Sequence, residues 1–251
     1  MKFENNLDEN WITNLLKWAD KNHIPKLKLI EVESYSQYNY CIGLPRDKKS
    51  LLNLTHLNLS SNNITKLPPE IGKLLNLEEL NLDKNQIKTI PSEIGELKKL
   101  TKLSLYNNCL TKLPPEIGNL SNLKELDIMA NKITEIPKEI GKLTNLVKLT
   151  IGENNIIELP KEIGNLTNLI RFECSGNYLE KVPKEMGNLT NLIELYLPFN
   201  IISEIPKEFE NLTKLTSLDF TWNNISKLPQ EIENLYKSKI LILDRNPIEN
   251  N

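Results

Sequence analysis

Histidine and cysteine are the residues of this 251-residue chain best suited to acid–base, nucleophilic or metal chemistry, and they are few. The two histidines, His23 and His56, have no recurring cysteine or acidic residue at metal-ligand spacing, and no nucleophile–base pair is evident. The phosphate-binding patterns GxGxxG and GxxxxGK[ST] do not occur in the sequence. The sequence therefore predicts a protein that is not an enzyme and needs no cofactor or metal.

Acidic residues are the next candidates, because a pair of carboxylates can act as general acid and base. The chain contains 33 aspartates and glutamates, and glutamates recur at an interval of 23 residues directly before an apolar residue, six of them in the regular units up to Glu185. These six are Glu70, Glu93, Glu116, Glu139, Glu162 and Glu185. A residue that recurs in each copy of a repeat belongs to its consensus, so we predict that these glutamates lie on the solvated surface.

The interval of 23 residues organises most of the chain. One column contains only asparagine: Asn62, Asn85, Asn108, Asn131, Asn154, Asn177, Asn200, Asn223 and Asn246. A second column contains only proline: Pro68, Pro91, Pro114, Pro137, Pro160, Pro183, Pro206 and Pro229. Each unit reads LxxLxLxxNxIxx(I/L)PxEIG, as in Leu77–Glu96, and leucine and asparagine in this order at this period are the signature of a leucine-rich-repeat solenoid.

Each unit has three parts with different physical roles. The alternation Leu80-Asn81-Leu82 predicts a short strand with one face in the core, and successive strands are expected to stack in parallel. The asparagine is expected to be buried and to bond backbone groups of its own and neighbouring units. Proline followed by glycine, as in Pro114 and Gly118, predicts a compact 3₁₀ or irregular return segment. The predicted fold is an α/β solenoid with a curved parallel sheet on the concave face and these segments on the convex face.

Residues 1–53 depart from the regular pattern, and we predict that they form an N-terminal cap ahead of the repeats at 54–251. Apolar residues at helical spacing predict a capping helix at about 9–22, and KLKLIEV predicts a strand at 26–32. A degenerate repeat follows, with matches to the repeat columns at Asn39, Cys41, Leu44, Pro45, Leu51 and Leu54. At the other end the pattern weakens, because Glu210 and Glu233 replace the glycine, and no dedicated C-terminal cap is recognisable.

The units resemble the 23-residue leucine-rich repeats, of pattern LPxEIGxLxNLxxLxLxxNxI, that occur in many short bacterial repeat proteins. Similar repeats occur in Ras-associated scaffolds of eukaryotes and in plant Ras-group proteins. The resemblance covers about residues 39–251 and implies protein–protein interaction as the usual activity, without naming a partner.

Composition and cysteine use suggest a cytoplasmic protein. Cys174 and Cys41 align with leucine or isoleucine positions and are expected to be small buried apolar residues, while Cys109 falls at a variable position. The cysteine-rich caps usual in extracellular relatives are absent, which favours a reducing compartment. With a net charge of −2 we expect no nucleic-acid partner, and without a long apolar run or an apolar leader we expect no membrane span and no classical secretion. A monomer is expected, and secretion by a non-classical route is the alternative.

Information about a partner is expected only where the copies of the repeat differ. The outward-facing positions after the first strand leucine place three aromatic residues, Tyr196, Phe199 and Trp222, on two adjacent units near the C-terminal end. Large exposed aromatic residues are typical binding anchors. The predicted protein-binding site therefore has a centre, a second cluster and a charged rim. Its residues are Tyr196, Phe199 and Trp222 (centre), Tyr106 and Met129 (second cluster), and Arg171, Glu173, Glu194 and Asp219 (rim).

Two interpretations of this site stay open at the level of sequence. The aromatic residues either form a protein-binding patch or pack on each other and on the last unit as a local cap. The function predicted is a non-enzymatic interaction module that binds a protein or peptide on its concave face. The alternatives are an exported bacterial effector, a regulatory scaffold for a GTPase or phosphatase, and a carbohydrate-binding surface protein.

Overall fold

The computed structural model of the chain describes residues 10–27 and 43–248. Three short α-helices occur among these residues, and all the rest of the regular structure is repetitive. The helices are α1 (Asn10–Lys21), α2 (Lys48–Leu52) and α3 (Glu233–Lys237). The first of them confirms the predicted capping helix within two residues at each end.

The leucine-containing strand segments form one parallel sheet whose strands are ordered as in the sequence. The register is constant, because each strand residue pairs with the residue 23 positions later, as Leu57 does with Leu80. The strands are β1 (His56–Asn58), β2 (Glu79–Asn81), β3 (Lys102–Ser104), β4 (Glu125–Asp127), β5 (Lys148–Thr150), β6 (Arg171–Glu173), β7 (Glu194–Tyr196), β8 (Ser217–Asp219) and β9 (Leu241–Ile242). We call each 23-residue turn of the solenoid a coil and number it by its strand.

The return half of each coil is a short 3₁₀ segment that begins after the repeat proline, as predicted. These segments are Pro69–Lys73, Ser92–Glu96, Pro115–Asn119, Lys138–Lys142, Lys161–Asn165, Lys184–Asn188, Lys207–Asn211 and Gln230–Ile232. The narrow strands line the concave face and the wider 3₁₀ segments line the convex face, so the sheet is curved.

The core is a single narrow column of leucine and isoleucine side chains between these two faces. It runs without a break from Leu15 in α1 to Leu243 in coil 9. Cys174 is fully buried within this column, as predicted, and burial raises the pKa of its thiol. This cysteine therefore acts as a small apolar residue and not as a nucleophile.

The N-terminal end of the column is covered by α1. The indole Nε1 of Trp18 donates a hydrogen bond to the carbonyl oxygen of Lys66 (3.0 Å), and Asn14 donates to Glu70 (3.0 Å). Arg46 ties the connecting segment to the helix, because its guanidinium donates to the carbonyl oxygen of Ile24 (2.6 Å) and lies 3.2 Å from Asp20. These contacts hold α1 over apolar side chains that the first coil would otherwise expose to water.

Part of the predicted cap lies outside the described residues, including Asn39, Cys41 and residues 28–32 of the predicted strand. Within the described part, Lys26 pairs with Leu44 in a parallel bridge, and Leu44, Leu51 and Leu54 are buried as the degenerate repeat predicts. The boundary between a cap at 1–53 and repeats at 54–251 stays a prediction, since the core is continuous across it.

Two ladders of asparagine side chains tie neighbouring coils together. In the buried ladder, Asn131 Nδ2 donates to the carbonyl oxygens of Leu105 (2.9 Å) and Ile128 (3.1 Å), and its Oδ1 accepts the Leu110 N–H (2.9 Å). A second, exposed ladder was not predicted: Asn145 Nδ2, for example, donates to the carbonyl oxygen of Ser121 (2.8 Å). Its other members are Asn76, Asn122, Asn168 and Asn191.

Candidate interaction surface

The residue directly before each buried asparagine has a left-handed backbone conformation, and we call these residues the left-handed column. Its members are Ser61, Lys84, Asn107, Ala130, Glu153, Gly176, Phe199, Trp222 and Arg245, with φ between 52° and 62°. This conformation turns the chain sharply, so that the following asparagine points into the core. Glycine adopts it without cost, whereas for a bulky side chain it is a rare and strained conformation. Phe199 and Trp222 are therefore unfavourable choices for the backbone at their positions.

Phe199 and Trp222 stack on each other on the surface of coils 7 and 8. Their ring centroids lie 6.1 Å apart with an interplanar angle of 16°, and the side of the pair nearer the C-terminus is covered by Arg245, whose guanidinium lies 5.3 Å from the Trp222 ring. Phe199 nevertheless remains 58% exposed and Trp222 50% exposed. The pair thus packs on itself and on coil 9, as the local-cap interpretation expects, and still presents the open apolar surface that a binding patch requires.

Tyr196 belongs to a different contact group from the stacked pair. Its ring lies 4.9 Å from the guanidinium of Arg171, which also forms an ion pair with Glu194. The sequence placed these three residues at the centre and rim of one cluster, and the structure joins them as a cation–π and ion-pair unit on β6 and β7. Such a unit holds the tyrosine ring in place on the concave face beside the stacked pair.

The two remaining rim residues, Glu173 and Asp219, also have a structural role. Asp219 Oδ1 accepts the N–H of Thr221 (2.7 Å), and Glu173 Oε1 accepts the N–H of Ser175 (3.1 Å). Asn58, Asn81 and Asp127 make the same bond to the residue two positions further on. The last residue of these strands is therefore shaped partly by the fold, because a polar side chain there accepts the N–H of the residue two positions further on.

Tyr106 and Met129, the predicted second cluster, lie on coils 3 and 4 and are partly buried. The Tyr106 N–H donates to Asp83 Oδ1 (2.9 Å), so the backbone at this position is held by a carboxylate of the preceding coil. The two side chains are separated from the stacked pair by Gly152, Ser175 and Gly176 on coils 5 and 6. No contact of the described residues joins the two predicted clusters.

An apolar stripe on the lateral edge of coils 5–7 was missed by the sequence analysis. Ile157 is 61% exposed, Tyr178 is 55% exposed and Ile201 is 41% exposed. The Tyr178 N–H donates to the Ile156 carbonyl oxygen (2.9 Å) and the Ile201 N–H to the Leu179 carbonyl oxygen (3.1 Å), so these coils are directly adjacent. Ile201 is two residues from Phe199, which makes the stripe a continuation of the stacked pair. A comparison of the residues that directly follow each buried asparagine, which are mostly polar in other coils, could have found Tyr178 and Ile201, whereas Ile157 lies three residues after Asn154.

The residues considered for chemistry are dispersed in the structure. Within residues 10–27 and 43–248, no group of three histidine, cysteine, aspartate or glutamate side chains is placed to hold a metal ion. His56 lies on β1 with its Nε2 3.7 Å from Glu79, and His23 is exposed at the end of α1. Across the same residues, no helix has the length and apolar character needed to cross a bilayer.

A one-layer solenoid with an open concave sheet and an exposed aromatic pair has the architecture of an interaction scaffold. The family described as leucine-rich repeat region matches residues 25–132 and 116–198, and the leucine rich repeat matches residues 214–235. These matches cover more than half of the chain, which therefore belongs to the leucine-rich-repeat family. No curated protein sequence matches the chain.

Solved structures of several leucine-rich-repeat proteins are similar to the chain. A leucine-rich-repeat protein of Leptospira interrogans is 36% identical (TM-score 0.62), over 80% of this chain and 57% of its own length. The plant peptide hormone receptor RGFR1, solved in complex with RGF2, is 38% identical (TM-score 0.68), over 75% of this chain and 32% of its own. An internalin of Listeria monocytogenes is 26% identical (TM-score 0.64), over 80% of this chain and 63% of its own. The chain thus spans less than two thirds of each of these proteins.

Proposed function

We propose that this protein is a non-enzymatic interaction module that binds a protein or peptide on its concave face, with Phe199 and Trp222 as the main anchors. One observation carries the proposal. At two adjacent positions the chain places large aromatic residues where the backbone favours glycine, and it leaves both about half exposed. Backbone strain at functional sites is typically about 1–3 kcal/mol per residue, so two strained and exposed anchors are costly unless they serve a partner.

The surroundings of the pair have the composition of a protein-binding site. Aromatic anchors with arginine neighbours and a polar rim are typical of interaction hot spots. Tyr196 with Arg171 supplies one edge of the surface, and the lateral stripe around Tyr178 extends its apolar area. The peptide hormone receptor among the similar structures was solved with its ligand, which supports a peptide or an extended protein segment as the bound species.

The two interpretations of the aromatic pair are separated by a double variant whose new residues suit the left-handed backbone, Phe199→Gly/Trp222→Asn. Loss of the stacking contact is expected to cost about 0.5–1.5 kcal/mol, and relief of backbone strain is expected to return a similar amount. We therefore expect the melting temperature to stay within about 4 °C of the wild-type value in a calorimetric scan. A much larger loss of stability would identify the pair as a local cap.

The binding arm of this test uses a random peptide library displayed on phage. The matched control is Lys84→Gly/Ala130→Asn, which makes the same backbone changes in the left-handed column of coils 2 and 4 without touching an aromatic residue. Peptides enriched on the wild type are expected to bind the control equally well and to bind the Phe199→Gly/Trp222→Asn variant at least about tenfold more weakly, because loss of one hot-spot residue costs about 2 kcal/mol or more. Equal binding to all three proteins, or no enrichment at all, would count against the proposed site.

A further inference from the structure

A second concave feature lies on the opposite half of the sheet from the aromatic pair. It is a groove of about 370 Å³ across β1 to β5, bounded along one edge by the first residue of each strand and floored by the last residue of each strand. The lining contains four carboxylates, Glu79, Asp83, Glu125 and Asp127, against two ammonium groups. None of these carboxylates belongs to the site proposed above.

The charges along the edge of the groove are largely compensated within the protein. Lys102 Nζ lies 3.3 Å from Glu125, and His56 Nε2 lies 3.7 Å from Glu79. The two aspartates differ from these glutamates, because no lysine, arginine or histidine of the described residues lies within ion-pair distance of Asp83 or Asp127. Asp83 and Asp127, beside the floor residue Ser104, are therefore the carboxylates of the groove without an ion-pair partner, and Lys148 and Lys102 act on Asp127 only at longer range.

Each aspartate uses one carboxylate oxygen and has the other available. Asp83 Oδ1 accepts from the Ser104 hydroxyl and from the Tyr106 N–H, and Asp127 Oδ1 accepts from the Met129 N–H (3.0 Å). No described donor bonds the Oδ2 atom of either residue. Burial raises the pKa of Asp127, and the nearby charge of Asp83 raises it further, whereas the hydrogen bond from the Met129 N–H and the charges of Lys148 and Lys102 lower it.

The hydroxyl group of Thr150 is an independent indication that the groove has unused hydrogen-bonding capacity. Its side chain lies in the groove wall on β5, in register with Asp127 on β4, and the residue is only 7% exposed. Its hydroxyl oxygen has no hydrogen-bond partner among the described residues. A buried hydroxyl without a partner is unfavourable, and a bound group with N–H donors would satisfy it.

We propose that this groove is a subsite for the guanidinium group of an arginine side chain, held by Asp83 and Asp127 with the Thr150 hydroxyl as a further acceptor. The assignment rests on the proposed function in one respect, since a bound peptide would supply the arginine. A partner would then need a positively charged side chain that binds about three coils away from the aromatic anchors.

The acceptor set favours arginine over lysine. Asp83 follows β2 and Asp127 ends β4, two strand spacings of about 4.8 Å apart, but the Asp83 side chain leans toward β3, where its Oδ1 accepts from the Ser104 hydroxyl. A guanidinium presents five N–H donors in a rigid planar fork, so different N–H groups can face the two carboxylates. An ammonium group is a compact point charge with three donors and is more strongly hydrated. Charge-assisted hydrogen bonds to two carboxylates supply the main attraction, and they form in a partly buried groove where screening by salt is weak.

The test uses small probes and the intact protein. Nα-acetyl-arginine amide is titrated into the ¹⁵N-labelled protein, and the amide shifts are followed by NMR. Nα-acetyl-citrulline amide, which has nearly the same shape but no charge, is the probe control. The variant is Asp127→Asn, and the matched protein control is Asp47→Asn at the N-cap of α2, because both keep the side-chain oxygen that accepts a backbone N–H, from Met129 and Ser50 respectively.

The arginine probe is expected to give saturable shifts centred on Ser104, Asp127 and Thr150, and the citrulline probe at least about fivefold weaker binding. Asp127→Asn should weaken arginine binding by roughly tenfold, and Asp47→Asn should leave it unchanged. Equal binding of the two probes, equal effects of the two variants, or shifts outside the groove would overturn the assignment. These probes do not reach the aromatic pair, so this result and the phage result can fail independently.

Discussion

Replacement of Asn131 by alanine is expected to lower the free energy of unfolding by about 2–3 kcal/mol, one of the two largest single-residue effects on the solenoid. The side chain accepts the Leu110 N–H, and Leu110 is fully buried, so the truncation leaves a backbone donor without an acceptor or water. It also removes the donors that Asn131 directs at the carbonyl oxygens of Leu105 and Ile128. Urea unfolding followed by circular dichroism measures the effect.

The matched control for this prediction is Asn145→Ala in the exposed ladder. Asn145 also donates across a coil boundary, to the carbonyl oxygen of Ser121 (2.8 Å), but water can replace that bond. We expect this substitution to change the free energy of unfolding by no more than about 0.5–1 kcal/mol. Equal losses in the free energy of unfolding for the two substitutions would contradict the view that burial of the asparagine, and not the number of its hydrogen bonds, makes the buried ladder important for stability.

Gly141→Ala is the second substitution expected to have a large effect, with a loss of about 1–3 kcal/mol or more from overpacking. A methyl group on Gly141 would lie 2.5 Å from the carbonyl oxygen of Glu162 in the next coil and 2.8 Å from its Cβ. The clash involves backbone, so it can be relieved only by separating two 3₁₀ segments along the convex face. A lower urea midpoint is the expected observation.

Coil 8 provides the control for this substitution, because Glu210 occupies the column that holds glycine in coils 2–7. Glu210 is exposed, and in the coil that follows it the 3₁₀ segment is shortened to Gln230–Ile232 and continues as α3. Glu210→Ala is therefore expected to change stability by less than about 0.5 kcal/mol. A large loss at Glu210, or none at Gly141, would show that close approach of the coils is not the reason for the glycine.

The repeat columns predict the architecture because each is tied to one physical requirement. Alternation around Leu80 gives the strand, the buried asparagine satisfies backbone groups between coils, and proline with glycine gives the compact return. These requirements recur in every coil, so nine copies of the same signal agree. The fold could therefore be read from the sequence in most of its detail, including α1 and the buried position of Cys174.

The features that escaped the sequence analysis depend on geometry that a single column does not express. The second asparagine ladder, at positions such as Asn145, was not predicted, because nothing in its spacing shows a bond across coils. The left-handed conformation at Phe199 and Trp222 follows from the turn into the core and is visible only in the backbone. Helices α2 and α3 replace return segments at the two ends, where the repeat pattern itself is degraded.

The structure divides the central and rim residues of the predicted site into separate contact groups. Phe199 and Trp222 form one pair, and Tyr196, Arg171 and Glu194 form a neighbouring unit. Such grouping depends on side-chain rotamers, which the order of residues along a column does not determine. The groove at Asp127 and Thr150 was missed for a related reason: the mixed charges of the strand residues look balanced in sequence, and only the pairing distances show which of them are left uncompensated.

Amide hydrogen exchange of the complex with a peptide enriched on the wild-type protein tests most directly where the partner binds. The peptide is expected to slow exchange in coils 7 and 8, at residues 196–199 and 219–222, and to leave the 3₁₀ segments of the convex face unchanged. The Phe199→Gly/Trp222→Asn variant should show no such protection at the same peptide concentration. Protection confined to the convex segments, such as Lys138–Lys142 and Lys161–Asn165, would contradict a concave binding surface anchored by the aromatic pair.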